Sequence, residues 1–229
     1  MSVHPVRFEG RIDDPAPSRW LWLIKWILAI PHLIVLFFLW IGAAIVWVIA
    51  FFAILITGRY PRPLFDYTVG VLRWSWRVSY YAYGVLATDR YPPFTLADDP
   101  HYPVRLNIEY PERLSRGLVL VKWWLLVIPH LLILAAVAGG VGAHTGGLVG
   151  LLALFAGVAL LFTGRYPKGI FDFLMGLHRW NLRVTAYTSL LTDVYPPFRL
   201  DQGEQEPEAE VESATSSAPG PVPAPAPGR

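Results

Sequence analysis

The chain has 229 residues, 54% of them hydrophobic and ten of them Trp, and carries a formal net charge of +2. Its mean hydropathy of +0.41 comes from long unbroken apolar runs, which excludes a disordered chain and argues against a soluble helical domain. The lack of Cys excludes disulfides, thiolate metal sites and a cysteine nucleophile, and the charge is split between a basic body up to residue 200 and an acidic remainder.

The first element is a short strand, in which Val6, Phe8, Gly10 and Ile12 hold alternate positions until Pro15 ends it. The same pattern recurs as Val104, Leu106, Ile108 and Tyr110, interleaved with Arg105, Asn107 and Glu109 and stopped by Pro111. Two such strands are expected to pair, because a lone strand leaves its backbone donors unsatisfied.

The next segment opens with Ser18-Arg19 and, in the second copy, Ser115-Arg116, where Ser is suited to cap a helix N-terminus. Nineteen mostly polar residues precede the apolar run, so no cleavable signal is expected. Trp20 to Ile56 is 37 residues in which Lys25 and His32 are the only ionisable groups. That is nearly twice the ~20 residues needed to cross a ~30 Å hydrocarbon core. The second copy offers Gly117–Leu134 and Leu148–Phe162, separated by the Gly-rich stretch Ala135–Gly147. Insertions collect in loops, so the first copy is expected to turn near Trp40–Ala44. The spacing predicts about four transmembrane helices, near 20–39, 43–57, 117–135 and 147–163, as two hairpins entering from the same side. Lys25 and Lys122 would snorkel to the head groups, and Gly58 and Gly164 would close the second helix of each pair in the left-handed conformation.

Within these runs Pro31-His32 matches Pro129-His130. An intramembrane His is a functional suspect, either bonding inside a kinked helix pair or relaying protons. No acid lies in the runs to complete a relay or metal site, and no metal is expected.

After TGRYP, at Thr57–Pro61 and Thr163–Pro167, Leu64–Leu86 and Ile170–Leu191 form the third element. Asp66, Gly70, Arg73 and Arg77 fall on one helical face, repeated as Asp172, Gly176, Arg179 and Arg183. Helices rich in Arg, Trp and Tyr are expected to lie in the membrane interface. Asp66, Arg73, Arg77, Asp172, Arg179 and Arg183 are then candidates to bind a lipid phosphate or a partner, since guanidinium forks onto phosphate oxygens; the alternative is internal ion pairing. Each copy closes on TDxYPPF, at Thr88–Phe94 and Thr192–Phe198, a turn with interfacial aromatics.

The chain thus divides into repeat 1 (residues 1–100), repeat 2 (101–200) and a tail (201–229), whose acidic and Pro/Ala-rich composition predicts disorder. The fold class expected is mainly α and integral to the membrane: a tandem repeat of short strand, transmembrane hairpin (about 20–57 and 117–163) and amphipathic interfacial helix (about 64–88 and 170–191).

The strings KWILAIPHLIVL, ITGRYPRPLFDYTVGVLRWSWRVSYY and TDRYPPF, with their counterparts KWWLLVIPHLL, FTGRYPKGIFDFLMGLHRWNLRVTAY and LLTDVYPPF, resemble the bacterial family catalogued as domain of unknown function 4389. The resemblance covers all but the tail. It implies an actinobacterial membrane protein with tandem copies and no established activity. His178 stands where repeat 1 has Leu72, so the copies are not identical in their apolar stripe.

No nucleophile elbow, phosphate-cradling Gly loop or metal-ligand helix motif is present in the sequence. A non-enzymatic scaffold or accessory protein of the bacterial inner membrane is expected, multi-pass with both termini cytoplasmic, engaging anionic lipid of the inner leaflet or a membrane-protein partner. No cofactor and no nucleic acid are expected. The alternative is a small permease or channel between the repeats, with His32 and His130 lining it.

Overall fold

The computed structural model describes residues 4–138 and 147–203; the predicted tail beyond 203 and most of the Gly-rich stretch lie outside the described residues. The elements in order are β1 (Val6–Gly10), α1 (Trp22–Leu28), α2 (Ile30–Thr57), α3 (Arg62–Ala82), β2 (Val104–Ile108), α4 (Arg116–Val121), a π-helical turn (Lys122–Leu126), α5 (Ile128–Ala138), α6 (Gly147–Thr163) and α7 (Lys168–Thr188).

The two strands pair antiparallel as their alternation predicts, with Phe8 opposite Leu106 at the centre. Their even positions are buried and their odd ones face out. Phe8 and Leu106 occupy matching places in the two repeats, so the ribbon centre marks a pseudo-twofold axis.

The predicted turn near Trp40–Ala44 is absent, because α2 runs unbroken from Ile30 to Thr57. His32, Leu36, Ala43, Ala50 and Ile54 form a buried stripe on one face, while Phe37, Phe38, Phe52 and Ile56 stand exposed on the others. Gly42 does not break the helix; it admits the Tyr67 ring, whose hydroxyl donates to the Leu39 carbonyl at 2.9 Å. With α1, the helix forms a rod of about 54 Å at 1.5 Å per residue, bent at Ala29 just ahead of Pro31. In repeat 2, α4, the π turn, α5 and α6 fill the same place against α7.

The rods run antiparallel to each other. At one end Trp22 meets Gly157 and Arg19 meets Gly164; at the other Arg116 approaches Gly58 and the rings of Trp47 and Trp123 meet edge to face at 5.5 Å. This differs from the expected pair of hairpins entering from the same side. Two helical stretches are long and apolar enough to cross a membrane, Ile30–Thr57 and Arg116–Ala135, and Gly147–Thr163 is a shorter apolar helix.

Helices α3 and α7 pack back along their own rods, as the Trp40 Nε1 bond to Ser75 Oγ (3.0 Å) and the Trp74 Nε1 bond to His32 Nδ1 (3.1 Å) show. They are not interfacial helices with a free polar face. Every side chain from Val69 to Ala82 except Arg73 is buried, as is every one from Leu174 to Tyr187. A core drawn from both repeats fills the space beneath the ribbon, with Phe8 edge-on to Trp76 at 4.6 Å and Phe65 edge-on to Tyr110 at 5.0 Å. Gly58 and Gly164 take the expected left-handed conformation, φ 71° and 68°. Leu86 and Leu190 share it (φ 66° and 65°) at the matched bends after α3 and α7. A leucine held there stores about 1–3 kcal/mol of strain, offset by burying both side chains.

Candidate functional site

In each repeat the residues singled out in the sequence converge on a buried clasp. Lys25, which is 0% exposed, donates to the Thr88 carbonyl at 2.7 Å and pairs with the Asp89 carboxylate at 2.8 Å. The second Asp89 oxygen accepts the Ser18 backbone N–H at 2.5 Å. Repeat 2 copies this set: Lys122 reaches the Thr192 carbonyl at 3.0 Å and Asp193 at 2.8 Å, while Asp193 accepts the Ser115 N–H at 2.6 Å. Both lysines also sit over a tyrosine face, Tyr81 and Tyr187. The expected snorkelling is therefore corrected, since a carboxylate and a carbonyl inside the protein replace the head-group water. Ser115 caps α4 through the Leu118 N–H as expected, whereas α1 starts later, at Trp22, and Ser18 contributes its backbone N–H instead.

The rest of TDxYPPF closes the clasp. Tyr91 donates its hydroxyl to the Leu28 carbonyl at 3.1 Å and Tyr195 to the Leu126 carbonyl at 3.2 Å, each three residues before the kinking proline. Phe94 stacks on His32 at 3.9 Å and Phe198 stacks on His130 at 4.1 Å. Both imidazoles are fully buried, each enclosed by a Trp, a Tyr and a Phe of its own repeat. His32 accepts from Trp74, while among the described residues neither ring nitrogen of His130 has a hydrogen-bond partner. They act as aromatic plates holding the bend.

The arginine face turns inward. Arg73 donates to the Leu106 carbonyl of β2 at 3.0 Å and to the Leu96 carbonyl at 3.3 Å; Arg77 donates to the carbonyls of Thr95 (3.1 Å) and Ala97 (2.5 Å). Arg179 donates twice to the Phe8 carbonyl of β1, at 3.1 and 3.3 Å, and also to the carbonyls of Asp201 and Gly203. Arg183 pairs with the Asp201 carboxylate at 2.7 Å. Each repeat thus grips the other repeat's strand. Burial lowers the pKa of Arg73 and Arg77, and for Arg77 the charge of Arg73 adds to it; Asp98, 3.8 Å from Arg73, opposes the shift there. Such a cost is tolerated because carbonyls take the guanidinium donors.

Gly70 marks the close approach of the loop that Arg73 and Arg77 hold. A Cβ there would meet Leu96 Cβ at 2.8 Å. Asp66 stands apart, exposed and paired with Arg62 one turn away at 3.3 Å. Asp172 is half-buried, and its Oδ1 has no hydrogen-bond partner among the described residues. The six residues expected to form one lipid- or partner-binding face are thus divided, with the four arginines engaged inside. His178, in the place of Leu72, is buried edge-on to Trp76 at 4.3 Å, with Nε2 3.4 Å from the Gly84 carbonyl.

The sequence reading missed the Thr95–Asp98 loop and Asp13, which accepts the Thr88 hydroxyl at 2.5 Å. It also missed a cavity of about 490 Å³ lined by Thr57, Gly58, Arg59, Arg113, Leu114 and Arg116. The signal for that cavity was the excess of Arg beside both TGRYP turns.

No curated protein and no solved structure matches the chain. A family model described as "Domain of unknown function (DUF4389)" matches residues 19–95 and again 124–199, each match running from the rod through the TDxYPPF turn, and the chain belongs to that family as a tandem pair of its domains.

Proposed function

We propose that the protein is a non-enzymatic scaffold or accessory protein of the bacterial inner membrane, which beds both rods in the cytoplasmic leaflet and turns its basic rod ends toward anionic head groups. The observation that carries this reading is the antiparallel arrangement of two apolar-surfaced rods about a polar ribbon. Were the rods to span, Arg59, Arg113 and Arg116 at one end and Arg19, Arg165 and Lys168 at the other would face opposite compartments, against the positive-inside preference. The exposed Arg7, Arg105 and Asn107 of the ribbon would sit at mid-membrane depth, where a charge costs ~2.5–3.5 kcal/mol or more. Lying in the plane, the rods bury their exposed Phe, Trp, Leu and Ile side chains in lipid and leave the exposed cations of the rod ends and ribbon at the water. The permease reading would need His32 and His130 on an aqueous path, and aromatic rings enclose both.

The chain has no Cys, so single Cys probes are clean. Glu112→Cys and Lys168→Cys mark the two rod ends and Asn107→Cys marks the ribbon. All three are expected to react with a membrane-impermeant maleimide in inside-out vesicles and not in intact spheroplasts. Labelling of Glu112→Cys and Lys168→Cys from opposite sides would overturn the in-plane reading.

A further inference from the structure

The three-arginine cavity at the end of the first rod has the character of an anion site, and its specificity rests on the lipid-facing reading above. Gly58 ends α2 with φ 71°, and its carbonyl accepts the Leu114 N–H at 2.8 Å, which draws the Arg113–Arg116 segment of repeat 2 across the TGR turn of repeat 1. The cavity that results is lined by Arg59, Arg113 and Arg116 with Thr57, Gly58 and Leu114, and among the described residues no acidic side chain lines it. Among the described residues none of these three guanidinium groups has a hydrogen bond or an ion pair. Arg73, Arg77, Arg179 and Arg183, by contrast, are engaged with carbonyls or a carboxylate. Three unpaired like charges around one hollow repel each other, and the C-terminal dipole of α2, about half a charge, offsets only a small part of that. An anion between them removes the repulsion and takes the forked donors of guanidinium.

We propose that this cavity binds a phosphate ester, with Arg59, Arg113 and Arg116 as its donors. The volume of about 490 Å³ admits a phosphate with its glycerol or a shell of water. The site is not duplicated. At the other rod end Arg165 and Arg19 match Arg59 and Arg116, but Ala16 and Pro17 stand where Arg113 and Leu114 do. Pro17 has no N–H for the Gly164 carbonyl, and the Arg19 guanidinium packs directly on Gly164. Repeat 1's turn therefore holds the phosphate and repeat 2's does not.

The test uses the full chain in mild detergent, with phosphatidylglycerol and inorganic phosphate as separate probes and native mass spectrometry and calorimetry as readouts. Wild type and Arg19→Gln/Arg165→Gln are expected to retain one phosphatidylglycerol, while Arg59→Gln/Arg113→Gln weakens its binding roughly a hundredfold, about tenfold for each charge-assisted hydrogen bond removed. Binding of inorganic phosphate with the same variant pattern, and no retained lipid, would assign the site to a free phosphate ester. Equal binding by wild type and Arg59→Gln/Arg113→Gln, or no binding of either probe to wild type, would overturn the proposal. Unchanged thermal unfolding of the double variant, whose residues are exposed, excludes misfolding as the cause. The maleimide pattern is read on separate variants, so the cavity and the in-plane placement fail independently.

Discussion

Replacing Asp89 with Ala removes the carboxylate 2.8 Å from a lysine that has no exposed surface. Breaking a buried ion pair on one side costs about 3–5 kcal/mol, because the remaining charge stays desolvated. Two features hold the value near the low end: the Thr88 carbonyl still accepts from Lys25 at 2.7 Å, and Asp89 is 31% exposed. The lost acceptor for the Ser18 N–H, 2.5 Å away, is partly replaced by water at that exposed position. The expected cost is about 3 kcal/mol, or a fall in Tm of roughly 6–12 °C for a chain of this size. Lys25→Met should cost less, about 1–2 kcal/mol, since Asp89 keeps the Ser18 N–H and its access to water. The double variant should be milder than the two single losses added together, with a coupling of at least about 1 kcal/mol. Thermal unfolding in mild detergent, followed by Trp fluorescence, provides the assay. An Asp89→Ala variant within about 0.5 kcal/mol of wild type, or strict additivity in the double variant, would refute the clasp as a coupled pair.

Gly70→Ala is expected to cost about 1–3 kcal/mol, the range for overpacking, because its methyl group would stand 2.8 Å from Leu96 Cβ and 3.1 Å from the Leu96 carbonyl. The matched Gly176→Ala, with no atom of the described residues nearer than 3.4 Å, should unfold like wild type, and the same melting assay compares them. Tyr91→Phe should lose about 1 kcal/mol by freeing the Leu28 carbonyl, detected as faster amide exchange around the bend.

The two strands were legible because a period of two with a half-buried face leaves a signature in five residues, as Val104–Ile108 shows. The glycine caps were legible for a similarly local reason, since a left-handed residue at Gly58 admits few side chains. The single rod was not legible. In a helix whose surface is apolar nearly all round, Trp40–Ala44 reads alike as helix or as turn, and it is tertiary contacts such as the Tyr67 ring seated on Gly42 and the Trp40 bond to Ser75 that favour the helix. The arginine face was placed on the right side of the helix but given the wrong partner. Periodicity identifies a polar stripe, yet it does not distinguish water or phosphate from the chain's own carbonyls at Leu106 and Phe8, which are far away in sequence. The clasp residues were all marked by the duplication; their convergence depends on the rod bending at Ala29, which Pro31 only hints at.

The crossed grip of the arginines has a consequence for how such a chain could be divided. Arg73 reaches the strand that belongs to the second repeat and Arg179 the strand that belongs to the first, so neither half contains all the partners its own core requires. A half-length chain would have to borrow a strand from a second copy and give up its own, forming a swapped homodimer. In the full chain the connecting segment makes that exchange intramolecular, at an effective concentration on the order of millimolar. Covalent linkage also frees the copies to diverge, which a homodimer forbids: His178 can differ from Leu72 and Arg113 from Ala16 within one molecule.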